Sequence, residues 1–143
     1  MTSVPESLPF DLAALRAVPL FQDCSDDEVA RLGAVVCRLR LPACSVLGTQ
    51  GEPFGALVLI VDGEAEVMRD GRVVDRLSSG DHLGSSSLLV RSPGSFSVVA
   101  ASDVIVDRVS ALEFRRLVMT TPALAWPLLV SLAGLSADHS SWR

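Results

Sequence analysis

The sequence predicts a mainly β fold with flanking helices: a small antiparallel β-barrel or jelly roll with N-terminal and C-terminal helices. Three observations point there. Between residues 56 and 109 the chain is a series of short β-branched runs separated by turn residues. Asp-Gly pairs at 62–63 and 70–71 are hairpin signals within that series. Two Ser-x-x-Glu boxes, Ser25 with Glu28 and Ser110 with Glu113, mark helix starts on either side of it. At 143 residues the chain makes one domain of ordinary size, able to bury a core without disulfides or metals.

Taken in order, Phe10 to Ala17 carries apolar residues at helical spacing. Ser25 caps a second helix expected to run to about Arg38, its apolar stripe formed by Val29, Leu32, Val36 and Leu39, with Cys37 at the edge of that stripe and in the core. After Leu41-Pro42 the texture changes to strands: Ala56 to Val61, Glu64 to Arg69, Arg72 to Leu77, Phe96 to Ala101 and Val104 to Val109. Asp62-Gly63 and Asp70-Gly71 are read as the turns of two hairpins. Ala65 and Val67 alternate with Glu64 and Glu66, so that strand has one wet face. Ser110 caps a helix through Phe114 and Leu117, and Thr121-Pro122 reads as the cap and first residue of a last helix. The domain therefore divides into N-terminal helices over 1–40, a barrel over 41–109 and C-terminal helices over 110–136.

Charge and cysteine content exclude several function classes. Seventeen acidic residues against twelve basic ones leave a net charge of −5, and the arginines are scattered apart from Arg115-Arg116. Nucleic-acid binding rests on a concentrated positive surface, which is absent, and no length remains for a helix-turn-helix module. All the basic residues are arginine, which suits a bacterial, GC-rich genome. Cys24, Cys37 and Cys44 are odd in number and match neither a disulfide framework nor a zinc site, so a reduced, cytoplasmic chain is expected. Cys44, in a turn, is the thiol expected to be exposed. Met1 to Pro9 lacks the basic start and apolar run of a signal peptide.

The most informative stretch runs from Gly80-Asp81-His82-Leu83-Gly84 through Ser85-Ser86-Ser87 and Arg91 to Pro93-Gly94-Ser95-Phe96-Ser97-Val98. With Gly51-Glu52-Pro53, Asp62-Gly63 and the entry segment Val18-Pro19-Leu20-Phe21, it resembles the cyclic-nucleotide-binding domain family, whose members in sensor proteins carry a phosphate-binding cassette here, residues 80–98. The resemblance implies that family's barrel. It also implies a ligand site whose glutamate, for the ribose hydroxyl, falls on Ser85 and whose arginine, for the cyclic phosphate, falls on Gly94. Charge-assisted contacts of that kind contribute about 1.5–3 kcal/mol apiece, so losing both removes roughly three or more decades of affinity. What remains for a ligand is the helix start at Gly84, the hydroxyls of Ser85, Ser86 and Ser95, and Arg91 as a substitute cation. Cyclic AMP or cyclic GMP would bind weakly at most, and no other cofactor is implied. Phe96 stands where the family has a small residue: its ring either fills the emptied pocket or points into the barrel. His82 and His139 have no nucleophile or metal partner in the pattern, and 94–98 lacks the second glycine of a nucleophile elbow, so no enzymatic constellation is present.

Leu117 to Ala137 carries no charge over 21 residues. Leu124, Leu128, Leu132 and Leu135 form one apolar stripe, and Trp126, Leu129, Val130 and Ala133 cover another face. Pro122 and Pro127 interrupt the run, which argues against a membrane span. A helix apolar on both faces must be buried, and one small barrel covers one face. The second face, with Trp126, Leu129, Val130 and Ala133, is the expected interface with a second copy or a larger protein. The chain thus reads as a stand-alone regulatory or interaction module that has lost cyclic-nucleotide binding, with a weak sensor of a cyclic nucleotide or other small anion as the alternative.

Overall fold

The computed structural model describes residues 6–9, 12–16, 24–84, 94–120, 122 and 126. Its elements are β1 (Glu6–Leu8), α1 (Leu12–Arg16), α2 (Asp26–Gly33), β2 (Cys37–Leu41), β3 (Val46–Gly48), β4 (Ala56–Asp62), β5 (Ala65–Arg69), β6 (Arg72–Leu77), β7 (His82–Leu83), β8 (Ser97–Ala100), β9 (Val104–Ser110) and α3 (Ala111–Thr120). The strands form two antiparallel sheets, five-stranded in the order β1-β2-β9-β4-β7 and four-stranded in the order β3-β8-β5-β6. This is the mainly β, jelly-roll-like fold the strand spacing predicts.

β4 shows how the layers are built. All of Ala56 to Ile60 is buried, because the strand is covered on both faces. Val58 and Ile60 point between the sheets, joining Ala65, Val67, Leu77, Leu83, Phe96, Val98, Ala100, Val104 and Val106 in the barrel interior. Leu57 and Leu59 point outward to a second cluster with Leu15, Val29, Leu32, Val109 and Phe114, where the helices close over the five-stranded sheet. A strand buried on both faces reads as a continuous apolar run rather than an alternation, and Ala-Leu-Val-Leu-Ile-Val is that run.

The helix caps expected at Ser25 and Ser110 are present, and the one expected at Thr121 lies outside the described residues. The Ser25 hydroxyl accepts from the Glu28 N–H at 3.2 Å while the Glu28 carboxylate accepts from the Ser25 N–H at 2.8 Å, a reciprocal pair satisfying two N–H groups at the start of α2. The Ser110 hydroxyl accepts from the Glu113 N–H at 3.2 Å and starts α3.

Three expectations are corrected. The second helix ends at Gly33, not near Arg38, and Cys37–Leu41 is strand β2, paired with β1 and β9. Strands Glu6–Leu8 and Cys37–Leu41 therefore belong to the barrel although they begin within 1–40. The apolar spacing of Val29, Leu32, Val36 and Leu39 fits a helix, but alternation in Cys37-Arg38-Leu39-Arg40-Leu41 fits a strand equally, and sheet pairing decides. Cys37 accordingly lies exposed at the start of β2 rather than in the core. Lastly, Asp62-Gly63 is not a hairpin: β4 pairs with β7 and β9, β5 with β6 and β8, so the chain changes sheets there. Gly63, with φ of 94°, makes the corner tight enough that a Cβ would lie 2.8 Å from the Val104 side chain. Asp70-Gly71 is a true hairpin turn between β5 and β6, with positive φ at both residues, the conformation of a type I′ turn.

Candidate functional site at the cassette ends

The cassette enters through Gly80-Asp81. The Asp81 carboxylate accepts from the Ser78 N–H at 2.9 Å, and the Gly80 N–H and Asp81 carbonyl bond Ile60 on β4 at 2.9 Å each. β7 follows, with His82 opposite Leu59 and Leu83 opposite Val58. His82 is buried, on the same face of the sheet as Leu59, beneath the helical layer. Gly84 then takes a φ of 83°, and a Cβ there would collide with the Ala56 carbonyl oxygen. A side chain at this point would cost the turn both strain and space.

The cassette leaves through Gly94, whose backbone is fully engaged. Its carbonyl accepts from the Gly51 N–H at 2.8 Å, and its N–H donates to the Glu52 carbonyl at 2.9 Å. That N–H is therefore not free for a ligand anion. Position 94 also faces a phenyl ring: a Cβ built there would stand 3.0 Å from Phe54 Cε1 and 3.4 Å from its Cζ. The same ring lies 3.5 Å from a Cβ built on Gly84 and 2.8 Å, at Cδ1, from one built on Gly48. Phe54 thus sits among three glycines, between the entry and the exit of the cassette. Sequence reasoning missed it, although a large aromatic residue directly after the Gly51-Glu52-Pro53 turn was the available signal.

Phe96 points into the barrel. It is 6% exposed, within the interior cluster, and the guanidinium carbon of Arg69 lies 4.3 Å from its ring centroid. The hairpin that carries Arg69 is tied to the cassette exit by polar contacts. Gln50 and Asp70 bond reciprocally, Gln50 Nε2 donating to the Asp70 carboxylate and the Asp70 N–H to Gln50 Oε1, both at 3.0 Å, and the Gln50 N–H donates to the Ser97 hydroxyl at 2.9 Å. Ser95, between Gly94 and Phe96, is exposed. Of the other predicted site residues, Ser85, Ser86 and Arg91 lie outside the described residues, as do Leu129, Val130 and Ala133 of the expected interface. Trp126 is described and is 74% exposed.

The charged residues that are buried serve the scaffold. Arg38 on β2 faces Asp107 on β9 in register and forms a two-pronged pair, Nε to Oδ1 and Nη2 to Oδ2, each at 2.7 Å. Among the described residues no group of three or more His, Cys, Asp and Glu side chains could hold a metal ion. Nor is any described helix long and apolar enough to cross a membrane.

Comparison with known proteins places this architecture. The chain is 31% identical over 121 residues to an uncharacterized NTE family protein of Mycobacterium tuberculosis, covering 84% of this chain and 21% of that protein. It is 32% identical over 107 residues to a cAMP-dependent protein kinase regulatory subunit of Aspergillus niger, covering 73% of this chain and 26% of the subunit. The chain thus spans about a fifth to a quarter of these relatives' lengths. Among solved structures, a cyclic nucleotide-binding domain from Methylobacillus flagellatus superimposes with a TM-score of 0.85 at 23% identity, covering 94% of this chain and 82% of that one. Residues 38–121, from the buried Arg38 of β2 past the end of α3, match the family model for the cyclic nucleotide-binding domain, and the chain belongs to that family.

Proposed function

We propose that this cyclic nucleotide-binding domain is a regulatory or interaction module that no longer binds cyclic nucleotides and acts, without catalysis of its own, through association with another protein. The observation that carries the first half is the state of the cassette exit. Where the family places an arginine there is Gly94, its N–H is taken by the Glu52 carbonyl, and the Phe54 ring stands against it. Phe96 adds a second ring inside the barrel, and the ribose-binding glutamate position holds Ser85. A singly charged cyclic phosphate entering this site would lose its water without gaining a fork of donors in exchange.

The association half rests on the apolar side chains left in water at the C-terminal end: Leu112 and Met119, one face of α3 seven residues apart, and Trp126. Interface energy concentrates in such large side chains, with Trp foremost. We assign the second copy or larger partner to this surface, together with Leu129, Val130 and Ala133 as the sequence expects of them. A net charge of −5 disfavours DNA as the partner, and the free thiols fit a cytoplasmic setting.

Calorimetric titration of cyclic AMP and cyclic GMP should show nothing tighter than the high micromolar range; a low-micromolar constant would overturn the reading. Light scattering at tens of micromolar should show a dimer or a complex with the partner, reduced by Trp126→Ala with unchanged circular dichroism. A wild-type monomer that binds no partner would remove the association half.

A further inference from the structure

The β5–β6 hairpin carries two arginines directly opposite each other, Arg69 and Arg72, on either side of the Asp70-Gly71 turn. Like charges at opposed positions repel, with Cβ atoms only about 4.5–5.5 Å apart. The one carboxylate between them, Asp70, is turned away to the Gln50 amide. Among the described residues neither arginine has an ion pair, while Arg16, Arg38, Arg40 and Arg76 all do. The cassette supplies no relief either: from His82 to Ala101 the sequence holds no Asp or Glu and one more cation, Arg91. At the turn itself two arginines flank a single carboxylate, Asp70, in a chain of net charge −5.

The corner is also organised. The Arg69 guanidinium carbon lies over the Phe96 ring, 4.3 Å from its centroid, a cation–π placement that holds the guanidinium. The contacts of Gln50 to Asp70 and Ser97, and of Gly51 to Gly94, fix the hairpin against the cassette exit.

We propose that Arg69 and Arg72 form an anion-binding fork at the cassette exit that takes a small ligand bearing a multiply charged phosphate, a phosphate monoester or a pyrophosphate. Two opposed guanidinium groups are matched by a dianion or trianion bridging them, and less well by the single charge of a cyclic phosphodiester. The site goes beyond the proposed function and does not rest on it, since it stands on the hairpin and not on the family's arginine position.

The probes are inorganic phosphate, sodium pyrophosphate and cyclic AMP, titrated calorimetrically at low ionic strength into the full chain. Pyrophosphate should bind more tightly than phosphate. Arg69→Gln with Arg72→Gln should weaken pyrophosphate by about tenfold or more, whereas Arg115→Gln with Arg116→Gln, which removes the same charge from α3, should leave it unchanged. Circular dichroism checks that each variant is folded, and Arg72→Gln alone, which keeps the Phe96 contact, should weaken binding if the double variant does not fold. No pyrophosphate binding by wild type, equal weakening by the α3 pair, or displacement by cyclic AMP at equal concentration would each overturn the proposal.

Discussion

Two arginine sites, one on each sheet of the barrel, follow opposite rules. Arg38 is 8% exposed and Asp107 fully buried, and the pair is closed, two hydrogen bonds at 2.7 Å with the partners in register across β2 and β9. Arg69 and Arg72 stand at a hairpin tip without an ion pair among the described residues, one of them resting on an aromatic ring. A charge taken out of water must be paired, or it costs several kcal/mol; a charge kept in water need not be. The paired site therefore belongs to the scaffold, and the unpaired one is where the chain retains freedom to meet something else. Arg40 sharpens the point. Two residues from Arg38 on the same strand, it lies half exposed and reaches Glu6 at only 3.8 Å, and an exposed pair of that kind contributes about 0–1 kcal/mol.

The comparison breaks most visibly at the buried pair. Asp107→Ala leaves Arg38 buried without its carboxylate and should cost about 3–5 kcal/mol in urea unfolding, while Arg38→Met with Asp107→Leu should recover most of that loss. Equal destabilisation by the single and double changes would show that the pair contributes through something other than charge compensation.

At the cassette, Phe96→Ala removes a ring from the barrel interior and should cost about 3 kcal/mol, at the low end of buried Phe→Ala changes. A cost under about 1 kcal/mol would mean that the ring is not packed as core. Restoration of cyclic-nucleotide binding tests the same region from the other side: Ser85→Glu with Gly94→Arg should fail alone and succeed only with Phe96→Ala and Phe54→Ala, because a side chain at 94 starts 3.0 Å from the Phe54 ring. Binding restored by the two charged residues alone would show that neither ring obstructs the site.

The smallest effect belongs to the hairpin. Arg69→Gln gives up one cation–π contact at an exposed position, about 0.5–1 kcal/mol, partly offset by relief of repulsion from Arg72. Its urea midpoint should stay close to wild type, in contrast to Asp107→Ala. A loss above about 2 kcal/mol would make Arg69 part of the scaffold after all.

The sequence by itself determined whatever is decided within a few residues. Strands over 56–62, 65–69, 72–77, 97–100 and 104–110 stand where β-branched runs are bounded by Gly and Asp, and the caps at Ser25 and Ser110 form because a serine hydroxyl and an N–H three residues on are neighbours in any helix start. The cassette entry was legible for the same reason, since Gly80 and Gly84 stand where the backbone takes a positive φ. Only the tertiary structure decided what depends on partners far along the chain. Cys37–Leu41 is a strand because β1 and β9 lie on either side of it, and Asp62-Gly63 turns a sheet corner because β4 and β5 pair with different strands. Arg38 finds Asp107 across 69 residues, and Phe54 reaches between Gly48, Gly84 and Gly94. Local periodicity records which faces of a segment are apolar, but not which distant segment will cover them. Strand pairing, burial of charge and the filling of a pocket are all settled by that second choice.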